Sequence, residues 1–141
     1  MQANKLLDLG GKVGAGDGRI ARHRIPDGRG ARRDGLQALV ISARKQHELD
    51  AASAALRKKN IEALTVANDL DAATVDAAAS LVGAVLDHYG KIDILVNNAG
   101  TVWGASAIEH SPEAWRKVMG LNVDACFRVP HTALSHFQAS A

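Results

Sequence analysis

Three short apolar runs alternate with three helical patterns, and this alternation constrains the fold more than any other feature of the sequence. Each run has the length of a strand. The first two are followed by segments in which apolar residues recur at helical spacing, and the third by a helix-start signal. The predicted strands cover residues 38–42, 61–67 and 92–96, and the predicted helices cover residues 45–59, 72–89 and a segment opened by Ser111-Pro112-Glu113. This order predicts an α/β fold in which helices cover the faces of a parallel sheet.

The helical spacing also predicts which side chains are buried. In the helix over 72–89, the predicted apolar stripe consists of Val75, Ala79, Val82, Leu86 and Tyr89. Gly90 follows this helix and is predicted to cap its C-terminus. In the segment after Ser111, Trp115 is predicted to be a core residue and Cys126 to pack as a small hydrophobic residue.

Composition limits the class of protein. The chain has 141 residues and 47% of them are apolar, which predicts one domain with its own hydrophobic core. No apolar run is long enough for a membrane-spanning helix, and the first residues lack the apolar region of a secretory signal. The single cysteine, Cys126, excludes an internal disulfide. We therefore expect a cytoplasmic protein, and the spacing of its histidines predicts no metal site.

Residues 14–37 depart from the alternation, because they follow neither the strand nor the helical period and are rich in glycine and arginine. The segment holds six arginines and three aspartates, so the net charge of +2 for the whole chain arises within it. Such a segment offers one alternative function, a non-catalytic protein that binds nucleic acid through arginines between Arg19 and Arg33. No aromatic residue is interleaved for base stacking, which weighs against that alternative.

Polar and small residues follow the three predicted strands. Ser42-Ala43-Arg44 end the first strand, Asp69-Leu70 follow the second, and Asn97-Asn98-Ala99-Gly100 follow the third. An Asn/Gly-rich tetrapeptide by itself is more often an ordinary turn. However, ligands of open parallel sheets bind beyond the carboxyl ends of the strands, where all three groups meet. The pattern therefore predicts a dinucleotide-binding site at this edge.

With these motifs, the sequence between Leu39 and Phe137 resembles the short-chain dehydrogenase/reductase family, classical type. The resemblance implies a Rossmann-type doubly wound sheet, incomplete in this chain. It also implies an NAD(P)-dependent oxidoreductase that interconverts an alcohol and a carbonyl on a small-molecule substrate, as a homo-oligomer. A 3-oxoacyl-thioester reductase and a sugar-acid or polyol dehydrogenase both remain open.

The resemblance also implies roles for particular residues. Asn98-Ala99-Gly100 belong to the family's N-N-A-G motif, which flanks the cofactor. Asp69 matches the acid that meets the adenine ring, and Leu70 lies beside it. Asn122, in Gly120-Leu121-Asn122-Val123, matches the asparagine of the catalytic tetrad, which helps hold a water in the proton relay. The alternative for Asn122 is a polar residue on a helix surface.

Cofactor choice depends on the end of the first predicted strand. Enzymes that prefer NAD usually place an acid there for the ribose 2′-hydroxyl, whereas a basic residue accommodates a 2′-phosphate. Here the strand ends in Ser42 and Arg44 with no acid between them. We therefore predict NADP, with NAD as the alternative. Arg44 and Lys45 could equally be the solvated start of a helix.

The family's first strand and glycine motif, T-G-x-x-x-G-x-G, are missing from their expected place. Val13 is followed by Gly14-Ala15-Gly16-Asp17-Gly18, and we assign no cofactor residue there. Codons compatible with residues 14–35, read one base later, encode A-L-V-T-G-G-S-R-G-I and then an amphipathic helix. We therefore hypothesise that residues 14–37 are frameshifted. Because the first strand is central in this family, its loss predicts a poorly folded or aggregating product.

The family's Ser, Tyr and Lys are also missing from the sequence. The tyrosine and lysine form Y-x-x-x-K on one helix face, and the lysine lowers the pKa of the tyrosine. Tyr89 is the only tyrosine, and Asp93 stands four residues after it, so Tyr89 is predicted to be a packing residue. We expect the three residues to lie beyond Ala141 and this chain to be inactive by itself. Asn122 is then the only catalytic residue that the resemblance assigns here.

Overall fold

The computed structural model describes residues 11–17, 38–58, 61–70 and 75–137. Its strands are β1 (Val13–Asp17), β2 (Ala38–Ala43), β3 (Ala63–Ala67) and β4 (Ile94–Val96). Its helices are α1 (Gln46–Arg57), α2 (Val75–Tyr89), α3 (Pro112–Met119) and α4 (Ala125–Ala133). The strands form one parallel sheet in the order β3-β2-β1-β4. The predicted α/β fold with a Rossmann-type parallel sheet is therefore confirmed.

The expectation that the central strand is missing is wrong. Residues 13–17 form β1, which pairs with β2 from Val13↔Ala38 to Asp17↔Ser42 and with β4 from Gly14↔Ile94 to Gly16↔Val96. A parallel ladder is made by backbone groups, so glycine can join it although it contributes no side chain. The predicted misfolding was based on the absence of this strand and is therefore no longer expected. Residues 18–37, which hold the rest of the segment called aberrant, lie outside the described residues.

Helices pack on both faces of the sheet. On one face, Val13, Ala15 and Val40 pack with Val82 and Val85 of α2. On the other face, Ile41 of β2 packs with Leu49 and Leu56 of α1. A third cluster joins α2 to the helices after it, through Leu70, Ala78, Leu81, Leu121, Ala125 and Val129. The doubly covered sheet explains why β2 is apolar without alternation.

The buried stripe of α2 differs from the predicted one. Val82 is buried as predicted, but Ala79 is exposed, and Ala78, Leu81 and Val85 are the other buried residues. The stripe is wider because α2 contacts both the sheet and α4. Gly90 ends the helix with a φ of 72°, and its N–H bonds to the Leu86 carbonyl at 2.7 Å. The predicted glycine cap is confirmed.

The segment after Ser111 begins as predicted and packs differently. Ser111 is the N-cap of α3, and its Oγ accepts a hydrogen bond from the Ala114 N–H at 3.1 Å. Trp115, predicted to be core, is 60% exposed, and Cys126 is also exposed. The buried face of this region instead carries Ala114, Leu121 and other small or branched residues. The helix start was predicted correctly, but residue type alone did not show which side chains of these helices are buried.

Candidate functional site

The carboxyl ends of the strands surround an open cleft of about 180 Å³. Five of the residues predicted to bind a cofactor line it: Ser42, Arg44, Leu70, Ala99 and Gly100. The cleft is completed by Ala43, Lys45, Glu48, Asn68, Thr101 and Leu121. Segments far apart in the sequence converge here because parallel strands end at the same edge.

Asp69 and Asn98, the two other predicted cofactor residues, are not among the lining residues. Both are exposed, and each is adjacent in sequence to residues that do line the cleft. Asp69 stands between Asn68 and Leu70, just after β3. These two residues are therefore neighbours of the cleft in sequence but do not line it.

Ser42 is the most unusual residue of the cleft wall. It is 1% exposed, and its Oγ is the one buried side-chain polar atom without a hydrogen-bond partner among the described residues. A buried hydroxyl that lacks a partner costs free energy of about 1–3 kcal/mol. Such an atom in a cleft wall fits a site whose ligand supplies the missing partner.

Asn122 holds the loop that follows β4. Its Oδ1 accepts a hydrogen bond from the Thr101 N–H at 2.8 Å, and its Nδ2 donates to the Thr101 carbonyl at 2.9 Å. A Cβ at Gly100 would stand 3.2 Å from Asn122 Oδ1, so glycine allows this close approach. Asn122 lies in a π-helical turn, Gly120–Asp124, between α3 and α4. Such turns inside helices are frequently found at functional sites.

Asn68 ties the end of β3 to two neighbouring elements, a role that the sequence did not predict. Its N–H bonds to the Ala43 carbonyl at 3.0 Å, and its Nδ2 donates to the Ala77 carbonyl of α2 at 2.7 Å. These bonds extend the contact between β2 and β3 to the edge of the cleft. The signal available in the sequence was an amide directly after a strand, which is also common in ordinary turns.

Three charged residues stand together on one wall of the cleft. Arg44 and Lys45 follow β2, and Glu48 lies in the first turn of α1. The Lys45 Nζ is 3.9 Å from Glu48 Oε1. The remaining lining residues are uncharged, so the wall carries two positive charges and one negative charge.

Tyr89 lies away from the cleft, at the end of α2, and packs partly buried against the cluster on that face of the sheet. Burial, together with the nearby Glu62 carboxylate, raises the pKa of its phenol above the ordinary value. A tyrosine that acts as a general acid needs the opposite shift. Its predicted role as a packing residue agrees with this position.

Asp93 lies at the opposite, amino end of the sheet. Its Oδ2 accepts the Val13 N–H at 2.8 Å, and its carboxylate pairs with Lys91 at 3.1 Å and Lys12 at 3.5 Å. Burial alone would raise the pKa of Asp93, but the Val13 hydrogen bond and the two lysines outweigh burial and lower it. This carboxylate therefore joins the start of β1 to β4 and takes no part in the cleft.

Within the described part of the chain, no group of three or more His, Cys, Asp or Glu residues could hold a metal ion. No described helix is both long and apolar enough to cross a membrane. The arginines between Arg19 and Arg33 lie outside the described residues. The comparisons with known proteins give no support to nucleic-acid binding.

A parallel sheet between helices, with small and polar residues at its carboxyl edge, defines a Rossmann-type dinucleotide-binding fold. The family model for short chain dehydrogenase matches residues 29–141. The chain therefore belongs to the short-chain dehydrogenase family, as the resemblance implied.

Individual relatives agree with this assignment. The chain is 33% identical over 104 residues to the peroxisomal 2,4-dienoyl-CoA reductase of Arabidopsis thaliana. This alignment covers 74% of this chain and 34% of the relative. It is 38% identical over 69 residues to the 2-dehydro-3-deoxy-D-gluconate 5-dehydrogenase of Escherichia coli K12, covering 49% and 27%. The L-sorbose reductase of Gluconobacter frateurii, solved with NADPH and L-sorbose, superposes with a TM-score of 0.81 at 29% identity, covering 93% of this chain and 49% of that one. The chain thus spans less than half the length of these relatives.

Proposed function

We propose that this chain supplies the part of an NAD(P)-dependent oxidoreductase that binds the adenine and ribose end of the cofactor. The observation that carries the proposal is the convergence of Ser42, Arg44, Leu70, Ala99 and Gly100 on one cleft at the carboxyl edge of the sheet. The complete enzyme interconverts an alcohol and a carbonyl on a small molecule, as a homo-oligomer. A 3-oxoacyl thioester and a sugar acid both have support as substrates, since the relatives include a ketoacyl reductase of Streptomyces violaceoruber and the gluconate-type dehydrogenase of Escherichia coli.

The residues of the cleft fit a dinucleotide. The unpartnered Ser42 Oγ is available to a ribose hydroxyl or phosphate oxygen. Leu70 and Ala99 offer an apolar wall for a flat ring, and Gly100 leaves space for close approach. Asp69, next to Leu70 in sequence, would meet the adenine ring, and Asn98 would flank the cofactor. When bound, the nicotinamide cofactor supplies or accepts the hydride.

We infer a preference for NADP over NAD. Arg44 and Lys45 line the cleft where β2 ends, and no acid stands between Ser42 and Lys45. A guanidinium binds a phosphate through charge-assisted hydrogen bonds, which a 2′-hydroxyl cannot match. Among the structural neighbours, the sorbose reductase was solved with NADPH, and a xylitol dehydrogenase at 26% identity was solved with NAD⁺.

Asn122 would act on this site through the loop that it holds. The oxygen and the nitrogen of its side-chain amide both form hydrogen bonds with the Thr101 backbone. The side chain therefore orients the residues that follow Gly100. A role in holding a water of the proton relay belongs to the complete enzyme. The sequence contains no tyrosine with a lysine four residues later, so we expect these 141 residues to bind cofactor without turnover.

Titration of the chain with NADPH and NADH tests the proposal. We expect saturable binding of NADPH, followed by fluorescence and by a rise in Tm, because a ligand that binds only the folded state stabilises it. Arg44→Ala should weaken NADPH binding by about tenfold, the effect of losing one charge-assisted hydrogen bond, and should affect NADH much less. Arg57→Ala, an equal loss of charge at the far end of α1, is the control. A chain that unfolds cooperatively and binds neither cofactor would disprove the proposal.

A further inference from the structure

Glu48 is the one acidic side chain among the residues that line the cleft. It faces the same space as Arg44 and Lys45, which we have proposed to receive the 2′-phosphate of NADP. A carboxylate in this place opposes the binding of a phosphate, because both groups are negative. The sequence did not single out Glu48, since a glutamate in the first turn of a helix is ordinarily explained by the helix dipole.

Glu48 also forms an ion pair with Lys45. The Lys45 Nζ lies 3.9 Å from Glu48 Oε1, and the side chains of Lys45 and Glu48 are 56% and 27% exposed. Ion pairs this open to water contribute little to folding. The same pair matters for a ligand, because a phosphate must compete with the carboxylate for the lysine.

We propose that Glu48 is a specificity-determining residue that weakens binding of the 2′-phosphorylated dinucleotide relative to the unphosphorylated one. The inference rests on the proposed function, because it assigns the charged wall of the cleft to the ribose 2′ position. Glu48 acts in two ways: it forms an ion pair with Lys45, which a phosphate would have to displace, and it repels the incoming phosphate. The chain therefore discriminates in favour of NADPH less strongly than Arg44 and Lys45 alone would allow.

The size of the effect follows from charge. A phosphate monoester carries a charge of about −1.5 to −2 at neutral pH, whereas the 2′-hydroxyl of NADH is neutral. Both cofactors share the pyrophosphate, so its repulsion by Glu48 largely cancels when the two are compared. Removal of one carboxylate from the cleft that would receive the phosphate should change the NADPH dissociation constant by about fivefold at low salt, and less at high salt.

Glu48→Gln tests the inference with little risk to the fold. Glu48 is the third residue of α1 after the N-cap Lys45, and glutamine serves at that position as glutamate does. The matched control is Asp50→Asn, which removes the same charge from the same helix outside the cleft. Asp50 accepts a hydrogen bond from Gln46 at 2.9 Å, and asparagine retains an acceptor for it.

We expect Glu48→Gln to lower the Kd for NADPH by about fivefold and the Kd for NADH by less than about twofold. Asp50→Asn should leave the ratio of the two constants unchanged. In a Lys45→Gln background, the effect of Glu48→Gln should shrink, because no lysine remains to be released. An equal shift for both cofactors, or a ratio that Asp50→Asn changes as much, would overturn the role of Glu48 while leaving the cofactor site intact. Absence of binding by the wild-type chain and all variants would overturn the proposed function as well.

Discussion

The adjacent strands β1 and β2 have the same direction and lie next to each other in the sheet, yet different forces hold them there. In β2, Val40 and Ile41 are buried on opposite faces of the sheet, against α2 and α1 respectively. In β1, Val13 and Ala15 are buried on one face, and each of them is followed by a glycine, Gly14 and Gly16. β2 is therefore stabilised mainly by its own side chains.

β1 depends more on its neighbours. Its backbone pairs with strands on both sides, as that of β2 does, but in addition the Asp93 carboxylate accepts the hydrogen bond of its first N–H. The comparison teaches that a strand of low intrinsic preference can occupy the centre of a sheet when both flanking strands and one ionic contact specify its register. Changes in the two strands should consequently have different effects on stability.

The largest effect is expected for Ile41→Ala in β2. This truncation removes a side chain that is 1% exposed and leaves a cavity beside Leu49 and Leu56. We expect a loss of about 2–5 kcal/mol in the free energy of unfolding, measured by urea denaturation. The control is Val123→Ala at a position 48% exposed, where a change within about 0.5 kcal/mol is expected. Equal losses at both positions would contradict the packing of β2.

The next effect is expected for Asp93→Asn, which weakens the attachment of β1 to β4. The substitution removes the negative charge that pairs with Lys12 and Lys91 and that strengthens the Val13 hydrogen bond. We expect the free energy of unfolding to fall by about 1–3 kcal/mol at neutral pH and the β1 amide hydrogens to exchange faster with solvent.

The same carboxylate gives a pH dependence whose sign is determined. The pKa of Asp93 is lower in the folded chain than its ordinary value. The contribution of this carboxylate to the free energy of unfolding is therefore present in full above the pKa that Asp93 has in the unfolded chain, near 3.9. It is lost as the pH falls through the pKa that Asp93 has in the folded chain. Asp93→Asn should show a smaller loss of stability over that range. Parallel curves for the variant and the wild type would show that Asp93 is not responsible.

A smaller effect of opposite sign is expected for Gly16→Ala. A Cβ at Gly16 would meet the Val96 Cβ at 3.7 Å, an ordinary van der Waals contact. Alanine reduces the entropy of the unfolded chain and should stabilise β1 by about 0.5–1 kcal/mol. Gly90→Ala is the matched comparison, because a φ of 72° disfavours alanine there and should destabilise α2. Destabilisation by both substitutions would mean that β1 does not hold Gly16 in extended geometry.

The nucleotide sequence sharpens the comparison without changing any property of the chain. If residues 14–37 are frameshifted, the coding DNA should encode T-G-G-S-R-G-I-G in another frame after the Val13 codon. The glycines of β1 would then stand where the ancestral strand carried larger apolar residues. DNA that lacks this reading would end the hypothesis and leave β1 as a strand of independent origin.

Local signals predicted most of the secondary structure. β2, the strand before Asn68 and the helix cap at Ser111 are all encoded within a few residues, by apolar runs or by a capping side chain. β1 escaped prediction because Gly14 and Gly16 carry no strand preference of their own. Trp115 and Cys126 were misassigned because an apolar residue type favours burial but does not say which face of a helix meets a neighbour.

The sequence by itself determined the alternation of strands and helices, the motifs at the strand ends and the family, because each rests on residues close together in the chain. Only the tertiary structure decided that β1 forms, that Ser42 Oγ is left without a partner, and that Glu48 shares a wall with Arg44 and Lys45. The physical reason is that burial and convergence depend on contacts between distant segments. A parallel sheet brings those segments to one edge, and no local pattern records which side chains meet there.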